Sequence, residues 1–278
     1  DGVARVIAAA LGERLGQQVI VDNKPGASAQ IAAQHVARSK PDGYTIFMTT
    51  NTSHSANPSL FQHLKYDPIK DFTPITRTGE LPFAVAVANH VPVKSLQELI
   101  DYAKANPGKV NYGTPNSTSL VAAETIKRMA GIDIVGVPYK SSPQALTDLM
   151  GGTIGLYVVD FGSGLATLKT DKVRAIAVTT AKPSKLLPGL APVARTLPGF
   201  DLTSWNGIFG PAGLPPAIVE LLDTEIRAVL AMPEVQDKLG HMGFEVSPSG
   251  SPKEFAQYVS DQLAHWTGLI RQAGIKAQ

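Results

Sequence analysis

The chain has 278 residues, enough for one large domain or two lobes of roughly 100–150 residues each. A formal net charge of +2, with Lys and Arg scattered rather than gathered in a stripe, is too small to argue for nucleic acid, and the absence of cysteine excludes disulfides, thiolate metal sites and a cysteine nucleophile. No apolar run approaches the roughly 20 residues of a membrane-spanning helix.

In chain order, residues 1–16 read as an amphipathic helix with Asp1 as its cap. A chain that opens on a helix cap, with no strand before it, reads as lacking its beginning. Gln18-Val-Ile-Val-Asp22 predicts a strand, Asn23-Lys-Pro-Gly26 a turn, residues 29–39 a helix and Lys40-Pro-Asp-Gly43 another turn. Tyr44-Thr-Ile-Phe-Met48 predicts a buried strand that runs into a loop of hydroxyls and amides, Thr49-Thr-Asn-Thr-Ser-His54. Phe72-Thr-Pro-Ile-Thr76 is a further short strand. Residues 81–88 are continuously apolar and predict a strand crossing between two lobes.

The pattern then alternates. A helix is expected over 95–105, a strand over 110–112, and a helix through 121–130 that Gly131 stops. Next come a strand over 135–139, a helix over 143–150, a strand over 154–159 ending in Asp160, a helix over 161–168 and a strand over 173–179. An irregular Pro- and Gly-rich connection leads to Trp205-Asn-Gly-Ile-Phe-Gly210, expected as the strand returning to the first lobe. Helices over about 215–231, 233–239 and 252–273 complete it. Strand alternating with helix predicts a parallel sheet, so the expected fold is α/β, with residues 1–82 and 206–278 as one domain, 83–205 as the other, and two extended hinge segments.

Ligands collect at the carboxyl ends of strands in such sheets. Between Val110-Asn-Tyr112 and the next helix lies Thr114-Pro-Asn-Ser-Thr118. Asn116, Ser117 or Thr118 can cap that helix, whose N-terminus carries partial positive charge and free N–H groups suited to a carboxylate or phosphate. Pro115 removes one possible backbone donor. Thr49, Thr50, Asn51 and Thr52, the 114–118 turn, and Tyr139 with Asp160 are expected to face a common cleft between the lobes.

Catalytic and metal signatures are missing. No Gly-x-Ser-x-Gly occurs, the glycines around Ser163 lack dinucleotide or Walker spacing, and His35, His54, His63, His90, His241 and His265 form no metal-ligand pair. Each histidine reads as a surface or satisfied residue, with His54 the one near the expected cleft. Asp160 has no evident acid partner, so its expected roles are helix cap or ligand contact. Trp205 and Phe83 are expected to pack in the core or hinge.

Several stretches, in this order and spacing, carry a resemblance: Asn23-Lys-Pro-Gly-Ala27, Lys40-Pro-Asp-Gly-Tyr44, Tyr66-Asp-Pro68 with Asp71-Phe-Thr-Pro-Ile75, Val91-Pro-Val-Lys-Ser-Leu96, Asn106-Pro-Gly-Lys-Val110, Val137-Pro-Tyr-Lys140, Leu149-Met-Gly-Gly152, Lys172-Val-Arg-Ala-Ile-Ala-Val178, Gly210-Pro-Ala-Gly-Leu-Pro215 and Ser251-Pro-Lys-Glu-Phe255. Over nearly its whole length the chain resembles the Bug-type receptors, extracytoplasmic solute-binding proteins of tripartite tricarboxylate transporters. The resemblance implies a two-lobed Venus-flytrap fold, a periplasmic location after signal-peptide removal, and a monomer. It implies no cofactor, no metal and no catalysis, and a small organic carboxylate passed to membrane permease subunits. Ligand-binding groups are implied at Thr49, Thr50, Asn51, Thr52, Thr114, Pro115, Asn116, Ser117, Thr118, Tyr139 and Asp160. It further implies that an opening strand and a Pro- and Gly-rich loop precede Asp1. Where many members carry a glycine-rich turn this chain has Thr114-Pro-Asn-Ser-Thr118, and Ser141 replaces the usual glycine after Val-Pro-Tyr-Lys. Signalling through a sensor kinase, or an enzyme on the same fold, are the alternative roles.

Overall fold

The computed structural model describes residues 1–277. In chain order come α1 (Gly2–Leu15), α2 (Gln30–Ala37), β1 (Phe47–Thr50), α3 (Asn57–Leu60) and β2 (Phe72–Leu81). There follow β3 (Phe83–Val87), α4 (Leu96–Ala105), β4 (Val110–Thr114), α5 (Ser117–Ala130), β5 (Ile134–Pro138), α6 (Ser142–Met150), β6 (Leu156–Asp160), α7 (Phe161–Leu168) and β7 (Arg174–Val178). The chain ends with β8 (Ser204–Pro211), α8 (Pro216–Leu230), α9 (Pro233–His241), β9 (Glu245–Val246) and α10 (Pro252–Gln272). These elements form two compact α/β units: Asp1–Glu80 with Ser204–Arg271, and Leu81–Thr203, on which Gln272–Ile275 also cluster.

The first unit carries a four-stranded sheet of order β1-β8-β2-β9. β1 and β8 are antiparallel, from Phe47 opposite Phe209 to Thr50 opposite Asn206. Phe47, Phe72, Trp205, Phe209 and Phe255 build its buried aromatic core. Two expected features differ. Residues 18–22 form no strand among the described residues, and Ile20 stays 76% exposed. β1 begins only at Phe47: Tyr44, tied by its N–H to the Asp42 carboxylate, still belongs to the turn before it. Asp1 is the N-cap residue of α1, but its side chain makes no capping hydrogen bond. Its carboxylate accepts instead from Arg5 Nε at 3.0 Å and Asn23 Nδ2 at 2.6 Å.

The second unit carries a five-stranded sheet of order β5-β4-β6-β3-β7. β5, β4 and β6 are parallel, while β3 runs antiparallel to both β6 and β7, so the sheet is mixed rather than parallel throughout. Only β3 runs against the others: β7, antiparallel to β3, points the same way as β4, β5 and β6, and β3 lies wholly within this unit. β3 therefore does not cross between lobes. It is an inner strand, buried at all five positions, which is why it reads as an unbroken apolar run. β8, with Trp205, is likewise an inner strand, of the first unit.

The parallel strands place the functional turns. From β4 the chain crosses through α5 to β5 on one flank, and from β5 through α6 to β6 on the other flank of β4. The strand order thus reverses between β4 and β6. The crevice outside their carboxyl ends is where open α/β sheets bind ligands.

Candidate functional site

Helix α5 begins at this reversal. Asn116 is its cap: its backbone is extended and Oδ1 accepts from Ser119 N–H at 2.9 Å. Gly131, at φ 60°, closes the other end in the left-handed conformation that glycine adopts without strain. Thr114 is the last residue of β4, its hydroxyl donating to Val137 O at 3.2 Å. Pro115 makes the turn, and Ser117 and Thr118 are buried in the first turn of α5. The Asn116 amide also donates to the Ser142 hydroxyl at 3.3 Å, joining this turn to the start of α6.

Asp160 ends β6 and caps α7. Oδ1 accepts from Ser163 N–H at 2.8 Å and Oδ2 from Ser163 Oγ at 2.7 Å. The β4–β6 register pairs Gly113 with Tyr157, so Asn116 and Asp160, each three residues further on, close neighbouring strand ends. Three helix N-termini, those of α5, α6 and α7, therefore gather around one crevice edge within this unit. Tyr139, just past β5, donates its hydroxyl to Asp148 at 2.7 Å. Burial first, and this carboxylate second, push its pKa up to about 12, so it remains a neutral donor committed to Asp148.

Residue-type patterns passed over part of this environment. Ser119, buried, donates to Val158 O at 2.8 Å. Tyr157, fully buried, has the hydroxyls of Ser142, Ser119 and Ser163 around its phenol, although none makes a well-formed hydrogen bond with it. Burial, with the Asp160 charge second, raises its pKa and keeps it protonated. The available signal was a polar-tipped ring in an otherwise aliphatic buried strand.

In the first unit the stretch after β1 is not an open loop. Asn51 is already helical, and a wide turn over Thr52–Ala56, closed by Asn57 N–H on Thr52 O, leads directly into α3. Such wide turns inside helices recur at functional sites. Thr49 and Thr50 are the last strand residues. The Thr49 hydroxyl pairs with Ser53 Oγ at 2.6 Å, and Thr50 Oγ1 accepts from Thr52 N–H at 3.2 Å. Asn51, fully buried, accepts the Ser204 hydroxyl at 2.5 Å. Opposite Thr50 stands Asn206, buried, with no partner for Nδ2 among the described residues.

His54 is neither a surface residue nor a ligand group. It is enclosed, stacked on Phe209 with centroids 4.0 Å apart and packed by Phe72 at 4.7 Å. Nδ1 meets Ser53 Oγ at 2.9 Å. Burial lowers its pKa to about 3, so the ring is neutral at any ordinary pH. The Ser53–His54 contact has the atoms of a nucleophile and base, but both side chains are fully buried and no carboxylate orients the ring. Among the described residues, no three His, Asp or Glu side chains are grouped to hold a metal ion, and no helix is long and apolar enough to cross a membrane.

The chain matches the family described as "Tripartite tricarboxylate transporter family receptor" over residues 3–275. A UPF0065 protein of Bordetella bronchiseptica is 34% identical over 278 residues, spanning 99% of this chain and 82% of the relative. Among solved structures, an R. palustris protein with adipate is 35% identical with a TM-score of 0.94, covering 99% of this chain and 93% of its own. MatC of Rhodopseudomonas palustris with bound malate is 29% identical with a TM-score of 0.87, covering 96% and 93%. The α/β fold is thus that of the periplasmic solute-binding proteins, and the chain belongs to the tripartite tricarboxylate transporter receptor family.

Proposed function

We propose that this chain is a periplasmic receptor that binds a small organic carboxylate, without catalysis, and passes it to the membrane permease subunits of a tripartite transporter. The observation that carries the reading is the meeting of the α5, α6 and α7 N-termini at the strand reversal of the second unit. Aligned peptide dipoles make a helix N-terminus equivalent to about half a positive charge; the Asp160 carboxylate already occupies that of α7, and those of α5 and α6 favour a further anion without any arginine. Ligand groups in this reading are Thr114, Pro115, Asn116, Ser117, Thr118, Tyr139 and Asp160 in one unit and Thr49, Thr50, Asn51 and Thr52 in the other. The roles within that set are unequal. Asn116 and Asp160 fix helix starts, Pro115 shapes the turn, and Tyr139 is held by Asp148. Thr114, Ser117 and Thr118 are the proposed donors to the carboxylate.

Adipate and malate in the two solved relatives make aliphatic dicarboxylates the first compounds to try. A ligand that binds only the folded state, at 100 times its Kd, adds about 2.7 kcal/mol of stability. For a protein of this size, about 1 kcal/mol moves Tm by roughly 2–4 °C. A thermal-shift screen of mono-, di- and tricarboxylates should therefore find at least one compound that raises Tm by several degrees. A flat response to the whole panel rejects the carboxylate reading.

A further inference from the structure

The formal charge of the chain is unevenly placed. Between Leu168 and Leu190 stand Lys169, Lys172, Arg174, Lys182 and Lys185 against the single carboxylate of Asp171, so the rest of the chain is net negative. The same stretch lines a groove of about 690 Å³ in the second unit. One wall is Val173, Arg174 and Ala175, at the start of β7. The other is the 185–190 connection, with Leu187 buried in the floor beside Leu168. Lys169 and Lys185 stand exposed at its rim.

Both walls are held in place. Arg174 donates to Val91 O at 3.3 Å and Val93 O at 2.9 Å. The Asn89 amide holds Asp171 O at 2.7 Å, and Leu186 N–H donates to Ser184 Oγ at 3.2 Å. The groove is therefore formed in advance of any occupant. β7 is also the outer strand of its sheet. Its last residue, Val178, is bridged in parallel by Pro192 and donates to Ala191 O at 3.0 Å, while Arg174 and Ala175, half-buried and paired with β3 on the inner side, have no strand on their outer side among the described residues. An uncovered edge takes an added strand readily, and one end of this edge already has its own chain there.

We propose that this groove is a docking surface for an extended, acidic segment of a partner protein. Main-chain pairing with β7 supplies direction, the leucine floor takes alternate apolar side chains, and Lys169, Lys172 and Lys185 take the carboxylates. A concave slot beside a strand edge suits a chain more than a flat anionic lipid surface. The surface lies outside the residues assigned to ligand binding, so this proposal stands or fails independently of the carboxylate reading.

The test is an amide-resolved NMR titration of the whole chain with an alternating glutamate–valine octapeptide, taken to millimolar concentration. Shifts confined to residues 168–190 are expected. They should weaken at least tenfold in apparent affinity when ionic strength rises from about 0.05 to 0.5 M, since exposed charge pairs are screened. The triple variant K169E/K172E/K185E should keep its melting temperature and lose the titration, and a lysine–valine octapeptide should give none. No shifts, shifts elsewhere, equal response to the lysine peptide, or an unaffected triple variant overturns the proposal. So does co-sedimentation with phosphatidylglycerol vesicles in place of peptide binding, which assigns the surface to the membrane.

Discussion

At the scale of single residues, the first unit is most sensitive where aromatic rings leave no space. A methyl group added at Gly207 would meet Phe255 ring carbons at 2.2, 2.9 and 3.0 Å. The ring is locked between Trp205 and Phe209, centroids 6.0 and 4.9 Å away, and cannot retreat. Overpacking of this kind costs about 1–3 kcal/mol, so Gly207→Ala should lower Tm by several degrees in a thermal melt, and an unchanged melt refutes the packing account. His54 gives a prediction with a pH sign. Its folded pKa, about 3 through burial, lies below the ordinary 6.5. Stability from keeping it neutral is therefore complete above pH 6.5 and is lost as pH falls, because the unfolded chain takes up a proton that the folded one refuses. Between pH 7 and 5 the loss is about 2 kcal/mol, from a slope approaching 1.4 kcal/mol per pH unit. His54→Phe, which keeps a flat ring in the aromatic cluster, should show a smaller fall in urea-unfolding free energy over that interval than the parent. Parallel falls would place the pH dependence in other groups. His54 was legible in the sequence as a residue to watch, but its place was not. A histidine after a run of hydroxyls looks solvent-facing until the helical turn over Thr52–Ala56 rotates it into the core.

At the scale of elements, α5 ties stability and binding to one side chain. Asn116→Ala removes the cap and should cost about 1 kcal/mol of stability. Asn116→Asp keeps a carboxylate cap that the helix dipole favours, but sets a negative charge beside the proposed anion. The two variants should therefore separate. Both should weaken the carboxylate-induced Tm rise, while only the alanine variant should melt lower without ligand. If the aspartate variant binds carboxylates like the parent, the anion does not sit at this helix start. Ser117→Ala and Thr118→Ala should each weaken binding roughly tenfold where the hydroxyl is the donor, since hydrogen bonds to a charged group contribute about 1.5–3 kcal/mol and about 1.4 kcal/mol is tenfold. The α5 segment was readable because local chemistry decides it: an amide at the cap, glycine at the stop and apolar residues at helical spacing between. Strands were less so, because a strand is defined by its partner. Residues 18–22 have the composition of a strand and form none among the described residues, and β9, two residues long, has a sheet position without a composition that announces it. The mixed sense of the second sheet was hidden for the same reason, since β3 reads as an apolar run whichever way it points.

At the scale of the whole molecule, the chain passes from one unit to the other at Glu80–Leu81 and returns at Thr203–Ser204, each time on or beside an extended strand. Few backbone angles need change at such segments for two units to rotate about them, and hinge closure around a ligand is a known repertoire. A ligand can drive closure only through contacts that exist in the closed state and not in the open one. If the proposed ligand groups act together, those contacts would come from the α5 start in one unit and from Thr49, Thr50, Asn51 and Thr52 in the other. Two consequences follow together. Small-angle scattering should give a smaller radius of gyration with a saturating carboxylate ligand than without. Variants at Thr49 or Thr50, in the first unit, should bind more weakly and also fail to compact, whereas Thr118→Ala should need more ligand but reach the same compact state. An unchanged radius on saturation, in a protein whose Tm the same ligand raises, would confine binding to one unit and reject closure while leaving the receptor reading intact.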